Sequence, residues 1–141
     1  MPIQRTLSII KPDAMNSKLS GSIIKFIEEK GFKILAQKKI TLTRKQAEAF
    51  YAVHKERPFY NDLTSFMTSG PCMVLALKKE NAVKAWRKTI GATNPSEAED
   101  NTIRKEFATS VQENAVHGSD SNENAEKEIA FFFTESEILN N

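Results

Sequence analysis

The run Cys72-Met73-Val74-Leu75-Ala76-Leu77, entered through the turn signal Ser69-Gly70-Pro71 and followed by Val83, Trp86 and Ile90, sets the architecture. An unbroken apolar run bounded by a turn predicts a buried strand. The apolar residues after it, spaced by three and four, predict a helix, and Gly91 stands where that helix would close. A strand feeding a helix is half of a βαβ unit. Cys72 reads as a small buried residue opening the strand rather than as a reactive thiol.

The same pattern recurs towards the N-terminus. Thr6-Leu7-Ser8-Ile9-Ile10 is β-branched and apolar, and Pro12 biases the residue before it towards extended geometry, so Lys11 falls at a strand end. Ile23, Ile24 and Ile27 mark a helix, with Ser20 as its cap and Gly31 as its stop; Phe32 to Ile40 alternates into a second strand. Between the two units, Thr43 with Gln46 forms a capping-box signature, and Ala47, Phe50 and Tyr51 give the following helix an apolar side. Arg57-Pro58-Phe59 interrupts it, and a second short helix is expected from Tyr60 through Phe66.

Beyond Gly91, Ala92 to Asn101 is loop-like around Asn94-Pro95, and loops of this length are often functional. Thr102 is expected to cap a short turn, with Ile103 and Phe107 inward and Arg104 pointing elsewhere. A fourth strand leads into Asn114-Ala115-Val116-His117-Gly118-Ser119-Asp120-Ser121. Asp120, with Glu123 three positions on, predicts the cap of a last helix whose core side is Ala125, Ile129, Phe132 and Phe133. Glu135 to Asn141 reads as a short tail. The order β-α-β, extra helices, β-α-β, α predicts an α+β, ferredoxin-like antiparallel sheet built from split βαβ units, covered by helices, with an inserted helical pair. Residues 1–141 form one expected domain.

Composition narrows the class of function. With 40% hydrophobic and 27% charged residues and no apolar run near the ~18 residues of a membrane helix, the chain reads as globular, without a membrane partner. Met1-Pro2-Ile3-Gln4 has no basic-then-apolar leader, and one cysteine allows no intrachain disulfide; a reducing, cytoplasmic setting is expected. Two histidines and one cysteine are too few for a zinc cluster. A net charge of +2 makes nucleic acid an unlikely principal partner.

His117 sits at a strand-to-helix turn, and Gly118, lacking Cβ, would let a substrate approach the backbone. The five glycines form neither of the phosphate-cradling patterns G-x-x-x-x-G-K-[ST] and G-x-G-x-x-G. Any phosphate would have to be held by side-chain cations, for which Lys11, Arg87 and Arg104 lie beside element ends or the long loop. His54 shows no partner signal and reads as surface.

Lys11-Pro12-Asp13, Arg57-Pro58-Phe59, Ser69-Gly70-Pro71, Gly91-Ala92-Thr93-Asn94-Pro95, Thr102-Ile103-Arg104 and Asn114-x-x-His117-Gly118-Ser119-Asp120-Ser121 together resemble the nucleoside diphosphate kinase family. The likeness extends through Ala125-Glu126-Lys127-Glu128-Ile129 and so covers almost the whole chain. It implies reversible ping-pong transfer of the γ-phosphate from a nucleoside triphosphate such as ATP to a nucleoside diphosphate, through a phosphohistidine on His117. Lys11, Arg87, Thr93 and Arg104 resemble the family's phosphate-binding residues, with Lys11 and Asn114 also reaching the ribose hydroxyls. Tyr51 matches an active-site tyrosine near Lys11. Ser119 and Glu128 match the pair that orients the histidine; the helical wheel alone leaves Glu126 open. Phe59 matches the base-stacking residue, with Val111 as a contact on the other side, an arrangement that implies broad base specificity.

The resemblance further implies Mg²⁺ carried by the nucleotide, no direct protein metal ligand, and a homo-oligomer, either tetramer or hexamer. Asp120 is assigned to capping. Asp100-Asn101 departs from the small residue or proline followed by glycine that is frequent before Thr102, and Met15 replaces a usual valine. Asparagine tolerates positive φ, so the turn is expected to survive. Two other classes fit the sequence less well. A ferredoxin-like nucleic-acid module would want a [KR]-G-[FY]-[GA]-F-V-x-[FY] strand that is absent here, and a scaffolding relative would want a damaged site.

Overall fold

The computed structural model describes residues 2–138. Its elements are β1 (Ile3–Ile10), α1 (Pro12–Asn16), α2 (Ser20–Glu29), β2 (Lys33–Ile40), α3 (Arg44–Phe50), α4 (Tyr60–Met67), β3 (Cys72–Glu80), α5 (Ala82–Ile90), α6 (Ile103–Phe107), β4 (Val116–Gly118), α7 (Asn122–Phe132) and α8 (Glu135–Ile138). Short 3₁₀ turns lie at Ala52–His54 and at Pro95–Glu97, the second inside the stretch expected to be irregular. The strands form one sheet in the order β2-β3-β1-β4, with every neighbouring pair antiparallel. This is the ferredoxin-like arrangement expected from the element order, with α3 and α4 as the inserted pair.

Helices cover both faces of the sheet, which explains why its central strands are continuously apolar rather than alternating. Leu7 and Ile9 of β1 and Val74 and Ala76 of β3 join a core with Ala47, Met67, Ile129 and Phe133. Ile10, Leu75 and Leu77 point the other way, into a core with Ile23, Ile27, Trp86 and Ile103. Cys72 is buried in the first core, and desolvation raises its thiol to about 11, so the thiolate needed for reactivity is disfavoured.

Local signals mostly hold. Thr43 and Gln46 exchange both capping-box bonds, the Thr43 N–H donating to Gln46 Oε1 at 2.9 Å and the Gln46 N–H to Thr43 Oγ1 at 3.1 Å. Gly31 and Gly91 take φ of +88° and +87° just past their helices, and Asn101 takes +62°, the conformation asparagine can supply.

Four expectations shift. Ser20 is the first residue of α2 rather than its cap, which is Leu19 without a side-chain bond. Ser121, not Asp120, caps α7, accepting from the Asn124 N–H at 3.1 Å, while Asp120 Oδ1 accepts from the Asn124 side chain. Residues 135–138 are helical rather than a loose tail; Ile138 is buried, and Lys38 pairs with Glu137 at 2.7 Å. Residues 139–141 lie outside the described residues. His54, read as a surface residue with no partner signal, is half-buried and packs its ring on Phe59 at 5.4 Å between centroids.

Candidate active site

β4 is three residues long, and its pairing with β1 places His117 opposite Ile9 and Gly118 opposite Ser8. Side chains alternate across a sheet, so His117 faces the side on which Ile9 packs, the side covered by α7. There His117 Nε2 lies 2.8 Å from Glu128 Oε1, and Ser119 Oγ donates to the same oxygen at 2.7 Å. Ser119 is fully buried and accepts the Leu7 backbone N–H at 3.2 Å, which ties the triad to β1. Glu128 is half-buried against the strand, whereas Glu126 is exposed; packing thus makes the choice that the helical wheel left open. Phe50 closes edge-on against the imidazole at 5.5 Å.

The tautomer follows from this geometry. A carboxylate oxygen accepts, so the imidazole nitrogen facing Glu128 carries the proton, and Nδ1 keeps its lone pair. Gly118 has a different role from the one expected: a Cβ there would lie 2.9 Å from Trp86 Cδ1 and 3.1 Å from Ile90 Cδ1. Close packing of α5 demands the glycine, and Trp86 Nε1 donates to the His117 carbonyl at 3.1 Å. No substrate reaches the backbone through that space.

Arg104 lies within electrostatic reach of both Lys11 and Arg87. Lys11 is almost wholly buried, and its Nζ donates to Asn114 Oδ1 at 2.9 Å. Asn114 Nδ2 in turn donates to the Thr93 carbonyl at 3.3 Å, which anchors the long loop. Arg104 is buried and donates to the carbonyls of Gly91 at 3.0 Å and Val116 at 2.9 Å. Burial and, secondarily, the Arg104 charge bring Lys11 down to about 8. Burial and the Arg87 charge bring Arg104 down to about 10. An anion placed beside Lys11 and Arg104 would offset the charges that disfavour their protonated forms. A cleft of about 510 Å³ adjoins Arg87 and Arg104 but not Lys11, lined also by Thr93 and Thr102, with Glu97 and Glu99 on its wall.

Phe59 and Val111 are exposed, with 47% and 53% of their surface accessible. Tyr51 is buried beside Phe50, its rings at 4.9 Å, and its hydroxyl has no protein partner among the described residues. Burial, then the nearby Cys72 and Glu128, push that hydroxyl well above the ordinary tyrosine range. The contact that sequence reading missed is Phe50, whose helical spacing marked it only as core.

A sequence model of the family described as nucleoside diphosphate kinase matches residues 4–138. The chain belongs to the nucleoside diphosphate kinase family. The nucleoside diphosphate kinase of Geotalea uraniireducens is 56% identical over 137 residues, covering 97% of this chain and 100% of the relative. That of Wolbachia pipientis subsp. Culex pipiens is 55% identical over 139 residues, covering 99% and 100%. Among solved structures, the Aquifex aeolicus nucleoside diphosphate kinase superposes with a TM-score of 0.94 at 45% identity, covering 98% of this chain and 100% of that one. The enzyme from Encephalitozoon cuniculi gives 0.89 at 38% identity, covering 92% and 88%. The protein is a nucleotide-binding phosphotransferase with nucleoside diphosphate kinase activity. Among the described residues, no helix is long and apolar enough to cross a membrane.

Proposed function

We propose that His117 Nδ1 is the atom that carries phosphate between nucleotides. The observation behind this is the 2.8 Å contact of Nε2 with Glu128, which leaves the other nitrogen as the free nucleophile. In the first half-reaction the Nδ1 lone pair attacks the γ-phosphorus of the triphosphate. An N–P bond forms, the bond to the β–γ bridging oxygen breaks, and the diphosphate leaves with that electron pair. In the second, a terminal oxygen of an incoming diphosphate attacks the phosphohistidine and restores the free imidazole.

Each remaining role rests on position. Lys11, Arg87, Thr93 and Arg104 hold the phosphates, and cations aimed at the equatorial oxygens stabilise charge spread over the transferring group. Glu128 and Ser119 fix the ring and stabilise its charged form. Lys11 and Asn114 meet the ribose hydroxyls, and Tyr51 borders the nucleophile. Phe59 stacks on the base with Val111 opposite, and because stacking reads no hydrogen-bonding edge, base specificity is broad. Mg²⁺ enters as part of the substrate, bridging phosphate oxygens and keeping water ligands. The working form is a homo-oligomer, tetramer or hexamer, in the cytoplasm.

Incubation with γ-labelled ATP and Mg²⁺ is expected to give acid-labile label on His117, discharged by GDP, UDP or dCDP. No label in the wild type, label retained by His117→Asn, or label that no diphosphate removes would refute the assignment.

A further inference from the structure

We propose that Asp13 is a positioning residue of the phosphotransfer site, holding a strained turn at Ala115 that aims Asn114 and sets the start of the His117 strand. The inference rests on His117 as phosphate acceptor. Ala115 is fully buried with φ of +73°, a conformation that an L side chain rarely adopts. The Val116 N–H donates to the Asn114 carbonyl at 2.8 Å, so the chain closes a three-residue γ-turn of the uncommon, strained hand. Such a turn persists only where its surroundings over-determine it.

The surroundings do so from two sides. Asp13 Oδ2 accepts the Ala115 N–H at 3.1 Å, and the Ala115 carbonyl accepts the Lys11 N–H at 2.8 Å. Arg104 grips the next carbonyl, that of Val116. The Lys11 and Arg104 contacts fall on carbonyl oxygens, whereas Asp13 takes the amide of the strained residue itself. Asp13 also follows Lys11 by two residues, so one short segment carries both a phosphate-binding cation and the brace. If the turn relaxes towards negative φ, the Asn114 amide leaves the Lys11 ammonium and β4 shifts against β1. Asp13 touches no reacting atom; it acts through Ala115.

Asp13 also lies in the first turn of α1, so loss of activity in Asp13→Ala alone would not separate the brace from a helix-end effect. The test is therefore a cycle of four full-length proteins: wild type, Asp13→Ala, Ala115→Gly and the double variant. Each is scored by single-turnover phosphohistidine formation from Mg·ATP at saturating nucleotide. Asp13→Ala is expected to slow that step by about 100-fold, the scale of a displacement near 1 Å, with a smaller change in nucleotide affinity. Glycine takes positive φ without a Cβ penalty, so Ala115→Gly should restore most of the lost rate in the Asp13→Ala background. Asp13→Asn, which keeps an acceptor oxygen, should stay near the wild-type rate.

A double variant no faster than Asp13→Ala, or an Asp13→Ala protein that labels at the wild-type rate, would overturn the proposal. Failure of the wild type to label would instead remove the phosphohistidine on which it rests. If Asp13→Ala does not fold, amide exchange in the wild type decides. A protected Ala115 N–H supports the brace, and exchange at the unprotected rate rejects it.

Discussion

Raising the pH through the Lys11 titration should weaken nucleotide binding in a way that its buried position dictates. In the free protein, desolvation and the neighbouring Arg104 bring this lysine down to about 8. A bound phosphate favours the ammonium, so binding returns the group towards its ordinary range and takes up a proton wherever the free lysine is neutral. The sign is fixed by that difference: affinity is full below about 8 and is lost as pH rises through it. The protonated fraction falls from roughly three-quarters at pH 7.5 to roughly 3% at pH 9.5, a loss of about 25-fold or about 2 kcal/mol. Arg104, at about 10, stays largely charged over this window and adds only a small further loss.

Calorimetric titration of ADP across that range, in buffers of differing ionisation enthalpy, reports affinity and proton uptake together. Uptake should approach one proton at the alkaline end and vanish in Lys11→Arg. A dissociation constant that stays flat to pH 9.5 with no proton uptake would refute the argument, because Lys11 would then be either fully charged when free or outside the site.

Glu128→Gln should slow phosphohistidine formation by roughly 10- to 100-fold, since the loss of a charge-assisted bond to the ring is on the order of 1.5–3 kcal/mol; stopped-flow phosphorylation of the purified variant checks it. Gly118→Ala should destabilise the fold by about 1–3 kcal/mol through collision with Trp86 and Ile90, a shift visible as a lower urea midpoint without a change in slope. Phe59→Ala should cost roughly 1–3 kcal/mol of nucleotide affinity while leaving His117 able to be phosphorylated, and unchanged calorimetric affinity would remove Phe59 from the site.

What could be read from the chain was whatever is encoded within a few residues. The unbroken apolar runs at Thr6–Ile10 and Cys72–Leu77, the Thr43 and Gln46 box and the glycines after α2 and α5 each specify local geometry, so the order of elements and the sheet topology followed. The motif set around Lys11, Phe59, Arg104 and His117 carried the family. Short-range rules failed where two adjacent residues compete for one job. Asp120 and Ser121 can both cap a helix, and only the backbone path into α7 selects the serine.

The rest needed distant segments to meet. Glu128 is chosen over Glu126 because α7 packs on β1 next to the three-residue strand β4, which turns one carboxylate towards His117 and leaves the other in solvent. The same contact fixes the proton on Nε2 and frees Nδ1. Gly118 owes its identity to Trp86, more than thirty residues earlier in the chain, and the lowered values of Lys11 and Arg104 arise from burial first and then from the charges of Arg104 and Arg87 respectively. Sequence alone supplied the chemical groups and the local geometry of each element. Tertiary packing decided their distances and which imidazole nitrogen of His117 faces a carboxylate, because those properties depend on neighbours brought together only when the sheet closes between its helices.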